Sequence, residues 1–310
     1  MEKNSKVYIA GHRGLVGSAL QRELERRGYD DLVTRTSTEL DLRNQTATQD
    51  FFLKEKPEYV FLAAAKVGGI KANMDCPAGF IYDNIQIQTN VIHASWKFDV
   101  RKLLFLGSNC MYPKEASQPF REDSILSGKI EPTNEPYGIA KIAGMTMCQA
   151  YNAEYKTNFI TAIPTSQFGP NDNFFSENSH FVPALIRKFH EAKEKDAERV
   201  VLLGSGRPRR EIMYVNDLAN CLIFLMHNYD SSEPINVGVG HDLTIEEIGN
   251  LIGKVVGFHG KMEFDRTKPD GIMKKLLDSS KISELGWKPR TDLEKGLEET
   301  YKWFLHNLVS

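Results

Sequence analysis

The stretch Val7-Tyr-Ile-Ala10-Gly11-His-Arg-Gly14-Leu-Val-Gly17 joins an apolar run to a glycine-rich turn, and it decides the fold. Val16, Leu20 and Leu24 then recur at helical spacing until Gly28 provides a stop signal. Glycines let a backbone approach a diphosphate, and the open N–H groups at a helix start favour negative charge. Strand, G-x-x-G-x-x-G turn and helix in this order therefore predict a dinucleotide-binding unit rather than a simple packing turn.

Apolar runs of strand type alternate with helical patterns through the first half of the chain. They lie at 7–10, 32–34, 59–64, 102–106 and 159–163. This alternation predicts an α/β fold, a Rossmann-type doubly wound parallel sheet with helices on both faces. Ligands then bind beyond the carboxyl ends of the strands, where Gly11, Ala63-Ala-Ala65 and Ser108 fall.

The pattern changes after Pro164, where shorter strand-like pieces at 200–203, 235–237 and 262–264 mix with helices. We predict a nucleotide-binding domain over residues 1–164 and a smaller α/β C-terminal substrate domain over 165–310, with some later segments returning to the first. Thr244-Ile-Glu-Glu247 and Thr291-Asp-Leu-Glu294 both have the pattern of a helix capping box.

Two arginines indicate which dinucleotide is bound. An acidic residue at the end of the second strand would bind the ribose 2′-hydroxyl of NAD, but Arg35 stands there, and Arg13 lies in the glycine turn. Cations at this point favour the extra phosphate of NADP(H), although both arginines can also be solvated surface charges.

Tyr137-Gly-Ile-Ala-Lys141 places a phenol and an ammonium on one face of a helix. A fixed ammonium beside a phenol is expected to lower the pKa of the phenol, which can then exchange a proton with a carbonyl oxygen while a hydride reaches carbon. A strand that ends in Gly107-Ser-Asn-Cys110 precedes this pair and strengthens the prediction of a reductase.

Net charge, cysteine spacing and the lack of long apolar runs argue against several classes of protein. The chain has 310 residues, a net charge of −2 and no long basic run, which argues against nucleic acid as the main partner. Cysteines 76, 110, 148 and 221 have no paired spacing, so we predict neither a metal site nor disulfides. A polar N-terminus without a signal peptide, and no long apolar run, predict a soluble cytoplasmic protein that does not bind membranes.

Several motifs together resemble the GDP-L-fucose synthase family of the extended short-chain dehydrogenase/reductase superfamily. The motifs are Ile9-Ala-Gly-His-Arg-Gly14, Ala63-Ala-Ala-Lys-Val-Gly-Gly-Ile70, Pro132-Thr-Asn-Glu-Pro-Tyr137, Ala140-Lys-Ile-Ala-Gly144 and Asn178-Ser-His180. The resemblance covers nearly the whole chain. It implies an NADPH-dependent homodimer that epimerises C3 and C5 of GDP-4-keto-6-deoxy-D-mannose and then reduces the C4 ketone.

The resemblance also implies roles for individual residues. Ser108 and Tyr137 would stabilise the oxyanion at C4, Cys110 would be the epimerisation base, and His180 would be the acid. Each has a structural alternative: a lone cysteine is often simply buried, and a histidine is often a surface residue. The residues implied to contact the cofactor are Gly11, His12, Arg13, Gly14, Leu15, Val16, Gly17, Arg35, Asp41, Leu42, Leu106, Gly107, Ser108, Asn109, Lys141, Pro164, Thr165, Ser166, Gln167 and His180. Those implied to contact the sugar nucleotide are Lys188, Arg210 and Asp270.

Two departures from the family pattern fall on the sugar-nucleotide side. Ser166 stands where the family usually has asparagine, and Leu203 precedes Gly204-Ser-Gly206 where a tryptophan is common. The alternatives are therefore a C4-reductase, or an epimerase/reductase acting on another GDP-4-keto-deoxyhexose such as a 3,6-dideoxy sugar. A non-catalytic NADP-sensing protein is disfavoured because Ser108, Tyr137 and Lys141 are all present.

Overall fold

The structure is a computed structural model that describes residues 1–175 and 179–309. Its strands are β1 (Val7–Ala10), β2 (Leu32–Val33), β3 (Tyr59–Leu62), β4 (Lys102–Leu106), β5 (Phe159–Pro164), β6 (Ser166–Phe168), β7 (Arg199–Leu203), β8 (Arg209–Arg210), β9 (Ile212–Tyr214), β10 (Ile235–Val237), β11 (Leu243–Thr244), β12 (Lys261–Asp265) and β13 (Lys274–Lys275). Its helices are α1 (Leu15–Arg26), α2 (Gln45–Glu55), α3 (Ile70–Asp75), α4 (Pro77–Lys97), α5 (Glu135–Tyr155), α6 (Phe181–Glu194), α7 (Val215–Asn228), α8 (Ile245–Val256), α9 (Ser280–Glu284) and α10 (Leu293–Phe304).

Six parallel strands form the central sheet, in the order β10-β5-β4-β3-β1-β2. Apolar side chains from α1 and α7 pack against one face of the sheet, and those of α2, α4 and α5 pack against the other. Strands covered on both faces need continuous apolar runs, which explains why β1, β4 and β5 are buried throughout. The predicted doubly wound parallel sheet is confirmed.

The sixth strand comes from the second half of the chain. β10 pairs with β5 in register from Ile235 with Ala162 to Val237 with Pro164. Its neighbour α7 packs on α1, so residues 215–237 complete the nucleotide-binding layer. The division of the chain into two domains at residue 164, with some later segments returning to the first, stays a prediction.

A second hydrophobic core lies beneath the later helices. Phe189 of α6, Ile248 and Ile252 of α8, and Leu297 and Phe304 of α10 pack together with side chains from β7 and β12. β7 and β12 form a separate parallel pair, while β8 lies between β11 and β13 in a small mixed sheet. Residues of this smaller layer, among them Arg210, Ile245 and Lys275, line the same cleft as residues that follow the central strands.

The two expected capping boxes have different outcomes. Thr244 caps α8 as predicted: its hydroxyl accepts from the N–H of Glu247, whose carboxylate accepts from the N–H of Thr244. The prediction for α10 is wrong by one residue, because Asp292 rather than Thr291 provides the cap. The Thr291 N–H instead donates to the buried Asp217 side chain at 2.9 Å.

Among the described residues, no helix has both the length and the apolar character needed to cross a membrane.

Candidate active site

The glycine turn is built by close backbone contacts. Gly11 has φ +87°, a left-handed conformation that favours glycine, and a Cβ there would lie 2.7 Å from the Ala64 nitrogen. A Cβ on Gly17 would lie 2.1 Å from the Gly11 carbonyl oxygen. Gly14 is the N-cap residue of α1 and has no side chain to cap it, so the first N–H groups of the helix stay open to a ligand.

One cleft of about 1610 Å³ runs along the carboxyl ends of the central strands. That volume exceeds the roughly 300–1,000 Å³ typical of a site for one small ligand, so the cleft has room for two. Most of the predicted site residues line it: Gly11, His12, Arg13, Gly14, Leu15, Val16, Gly17, Arg35, Asp41, Leu42, Gly107, Ser108, Asn109, Cys110, Tyr137, Pro164, Thr165, Ser166, Gln167, His180, Arg210 and Asp270.

Three predicted site residues do not line the cleft. Leu106 and Lys141 are buried beneath its floor, where the Lys141 ammonium donates to the Leu106 carbonyl at 2.7 Å. Lys188 is exposed on α6 and its ammonium donates to the Val201 carbonyl. A direct role for Lys188 in substrate binding therefore stays a prediction without support from its position.

Tyr137 lies at the start of α5, with its ring edge-on to Phe80 at a centroid distance of 6.3 Å. Removal from water raises its pKa, negative charge on Cys110 raises it further, and a hydrogen bond with Ser108 lowers it. Because the raised pKa keeps the phenol protonated, Tyr137 is suited to donating a hydrogen bond or a proton to an oxygen in the cleft.

The expected effect of Lys141 on the tyrosine is wrong in this structure. The Lys141 ammonium lies 5.8 Å from the centre of the Tyr137 ring, and it is not among the groups that shift the pKa of Tyr137. Burial instead lowers the pKa of Lys141 itself to about 7. Desolvation dominates because the Lys141 side chain is withdrawn from water, so Lys141 is poised to gain or lose a proton near neutral pH.

Cys110 is half-buried in the short 3₁₀ turn that comes after β4. The Ser108 hydroxyl accepts from the Cys110 N–H at 3.2 Å and so fixes the backbone of the turn. The Asn134 side-chain amide donates to the Cys110 sulfur at 3.1 Å. Asn134 belongs to one of the family motifs, but 24 residues separate it from Cys110 and local spacing gives no signal of the contact.

His180 is the N-cap residue of α6, where it lines the cleft. Its Nδ1 lies 3.5 Å from Oδ1 of Asp172, a carboxylate whose side chain is only 4% exposed. Hydrogen bonding to Asp172 raises the pKa of His180, and burial partly opposes this. Asp172 was missed from the sequence, and Asn178, part of the motif that ends in His180, lies outside the described residues.

Charged residues surround the far end of the glycine turn. Arg13 is exposed there, whereas Arg35 is bound to the Glu55 carboxylate at 2.6 Å. Asp41 accepts three hydrogen bonds from the Arg43 guanidinium, which also reaches Asp83 at 3.2 Å. The exposed Arg13 guanidinium is therefore more available for a phosphate than that of Arg35.

The opposite end of the cleft carries the predicted sugar-nucleotide residues. Arg210 is held by the Ile272 carbonyl at 2.7 Å, and burial lowers its pKa. Asp270 is engaged by Ser205, which donates from its N–H at 2.8 Å and from its hydroxyl at 2.6 Å. Lys275 also lines this end, although it was not predicted. Leu203 is 68% exposed and does not line the cleft, whereas Ser166 does.

Comparison with known proteins identifies the family. The model of the NAD dependent epimerase/dehydratase family matches residues 7–238, and the chain belongs to this family. GDP-L-fucose synthase 1 of Arabidopsis thaliana is 53% identical over 309 residues, which cover 100% of this chain and 96% of that protein. GDP-L-fucose synthase of Escherichia coli (strain K12) is 51% identical over 311 residues, with 97% of each chain covered. Within the family, the place of this chain is therefore with the GDP-L-fucose synthases.

A solved structure with a closely similar fold has a different name from the fucose synthases. The GDP-mannoheptose C4 reductase of Campylobacter jejuni, solved with NADP bound, has a TM-score of 0.91 and 41% identity, covering 98% of this chain and 99% of that one. This chain therefore shares its architecture with an enzyme whose name refers only to reduction.

Proposed function

We propose that this protein converts GDP-4-keto-6-deoxy-D-mannose to GDP-L-fucose by epimerising C3 and C5 and then reducing the C4 ketone with NADPH. The observation that carries the proposal is the single cleft. It joins the glycine turn to a half-buried phenol at Tyr137 and to two further titratable side chains, Cys110 and His180. A plain reductase has no need of the last two groups.

The residues present fit NADPH. Gly11 and Gly17 let the turn pack tightly against neighbouring backbone, since a Cβ at either position would clash with it, and the turn leads into the open N–H groups of α1, which suit a ligand's phosphates. Arg13, exposed at the rim, is the candidate for the 2′-phosphate. When bound, NADPH supplies the hydride for the ketone carbon.

Epimerisation requires the removal and return of protons beside a ketone. Hydrogens on C3 and C5 are acidic because the C4 oxygen takes up the negative charge of the enolate. Ser108 and Tyr137, which both line the cleft, would donate hydrogen bonds to that oxygen. Cys110 takes the proton as base and His180 returns one as acid, aided by Asp172, which keeps the imidazole protonated to higher pH.

Reduction reuses the same oxygen site. Tyr137 stays protonated because burial raises its pKa, so it can deliver a proton to the C4 oxygen as hydride reaches the carbon. Lys141, with a pKa of about 7, is suited to restoring that proton from beneath the floor. One pair of hydroxyls thus serves both the enolate and the alkoxide.

The GDP-sugar is proposed to bind at the end of the cleft that carries Arg210 and Lys275, whose positive charge suits a diphosphate. A homodimer through α4 and α5 is supported by large side chains exposed on these helices, among them Tyr82, Ile139 and Tyr155. Cytoplasmic location stays a prediction.

A second candidate is reduction at C4 without epimerisation, which the likeness to a GDP-mannoheptose C4 reductase supports. Ser166, in the cleft where the family usually has asparagine, allows a different sugar to be accepted.

Incubation with NADPH and GDP-4-keto-6-deoxy-D-mannose in deuterated water, and then NMR of the product, separates these activities. GDP-L-fucose with deuterium at C3 and C5 is the expected product. NADPH consumption without inversion would establish a C4-reductase and exclude the epimerase roles of Cys110 and His180. If the protein does not turn over this sugar but does turn over a dideoxy or heptose analogue, its substrate belongs to that class of sugar.

A further inference from the structure

Asn134 occupies the N-cap position of α5 without capping it. Asparagine is among the best N-cap residues because its side-chain oxygen accepts from the first N–H groups of a helix. Asn44 does this for α2, where its oxygen accepts from the N–H of Ala47 at 3.0 Å. The Asn134 side chain turns away from its helix instead, and its amide donates to the sulfur of Cys110 at 3.1 Å.

The rest of the Asn134 side chain is enclosed. The residue is 8% exposed, and among the described residues its Oδ1 has no hydrogen-bond partner. A cavity of about 10 Å³ lies against Asn134 and Cys110, with Phe120 and the ion pair of Lys114 and Glu131 on its walls. Such a volume holds at most one water molecule, so bulk water does not solvate the sulfur on this side.

Cys110 has two side-chain partners. Its thiol donates to Oδ1 of Asn109 at 3.7 Å, and its sulfur accepts the Asn134 N–H at 3.1 Å. A thiolate cannot donate but still accepts, so the Asn134 N–H is the contact that a deprotonated sulfur keeps, and a hydrogen bond to the charged form favours that form. An uncapped helix and an unpaired oxygen are unfavourable features that this contact explains.

We propose that Asn134 is a positioning residue that holds the Cys110 sulfur toward the cleft and stabilises its thiolate. This inference rests on the proposed function, in which Cys110 is the base that removes protons beside the ketone. It adds Asn134, which lines the cleft beside Cys110 and was not among the predicted site residues.

The test measures how fast Cys110 reacts with iodoacetamide at pH 7, without sugar or cofactor. Cys76 is exposed, whereas Cys148 and Cys221 are buried, so a Cys76→Ser background leaves Cys110 as the accessible thiol. Because only the thiolate reacts, Asn134→Ala should slow alkylation about tenfold, as expected for loss of one hydrogen bond to a charged group.

Asn134→Asp keeps the shape, removes the donor and adds a negative charge beside the sulfur, so it should slow alkylation more than Asn134→Ala does. If Asn134 stabilises the thiolate, both variants slow alkylation, and both slow deuterium uptake at C3 and C5 while the affinity for NADPH is unchanged. If Cys110 is alkylated as fast in Asn134→Asp as in the wild type, only the shape of the side chain matters and the proposal is overturned. Asn44→Ala is the matched control, since it removes an asparagine that does cap its helix and should leave alkylation unaffected.

The proposal and the proposed function fail in distinguishable ways. Unchanged alkylation in both Asn134 variants overturns the positioning role, whatever sugar the wild type accepts. Wild-type protein that catalyses no exchange at C3 or C5 overturns the epimerase function, even where alkylation depends on Asn134.

Discussion

Replacement of Gly17 by alanine tests whether the glycine turn is a cradle for a cofactor. The added Cβ would lie 2.1 Å from the Gly11 carbonyl oxygen and 2.6 Å from its carbonyl carbon. Both atoms belong to the backbone and cannot rotate away as a side chain does. Since ordinary contacts between heavy atoms lie at about 3.5–4 Å, the start of α1 has to move by more than about 1 Å.

This movement should have two effects whose size can be estimated: a loss of stability and weaker binding of NADPH. Overpacking of this kind destabilises a protein by about 1–3 kcal/mol. Displacement of α1 also lengthens the hydrogen bonds from its first N–H groups to a diphosphate, and loss of one bond to a charged group costs about 1.5–3 kcal/mol. The Kd for NADPH should therefore rise about ten- to a hundredfold.

Gly14→Ala provides the comparison within the same turn. Its Cβ would meet only the Gly11 oxygen at 3.5 Å, an ordinary contact, and its φ of −78° suits alanine. Urea unfolding and fluorescence titration with NADPH would measure both variants. Gly17→Ala should lose stability, whereas Gly14→Ala should unfold like the wild type. Equal stability of the two variants would refute the backbone contact as the reason for glycine at position 17.

Three further perturbations address the chemistry. Tyr137→Phe should lower the rate of reduction at least about a hundredfold, as for loss of a general acid, while NADPH binding by titration is unchanged; near-normal reduction would contradict its role. Asp172→Asn should lower the raised pKa of His180. Because His180 acts as the acid only when protonated, the rate of C3/C5 exchange should begin to fall at a lower pH than in the wild type; an unmoved pH profile would exclude this pairing. Arg13→Ala should weaken NADPH about tenfold and leave NADH unaffected, because the exposed guanidinium would meet only the 2′-phosphate; equal weakening of both would point to another contact.

The first half of the fold could be predicted because its signals are local. The apolar runs that became β1, β4 and β5 are continuous, as burial on both faces requires, and the glycine turn fixes the path of the chain from β1 into α1. β10 carries no such signal, since a strand of three residues looks the same in any sheet. At α10, two adjacent residues, Thr291 and Asp292, could each cap the helix; Asp292 does so, and the backbone of Thr291 is bound to the distant Asp217, a contact that local sequence does not reveal.

The candidate site could also be predicted only in part from the sequence. Motifs place Cys110, Tyr137 and His180 in one cleft, but contacts between distant segments set their chemistry. The Asn134 amide on the sulfur and the Asp172 carboxylate beside the imidazole are examples. Spacing on a helix also overstated the influence of Lys141 on the phenol, because its ammonium turns to a backbone carbonyl below the floor.

The position of β10 has a consequence for any attempt to divide the protein. β5 is buried along all of Phe159–Pro164, and β10 hydrogen-bonds to its outer edge from 71 residues beyond the end of β5. A fragment that stops at residue 164 would expose an apolar, unpaired strand edge, which is a template for aggregation. The nucleotide-binding half is therefore not a portable module. A break in the intervening chain should instead leave two pieces that remain associated through the sheet.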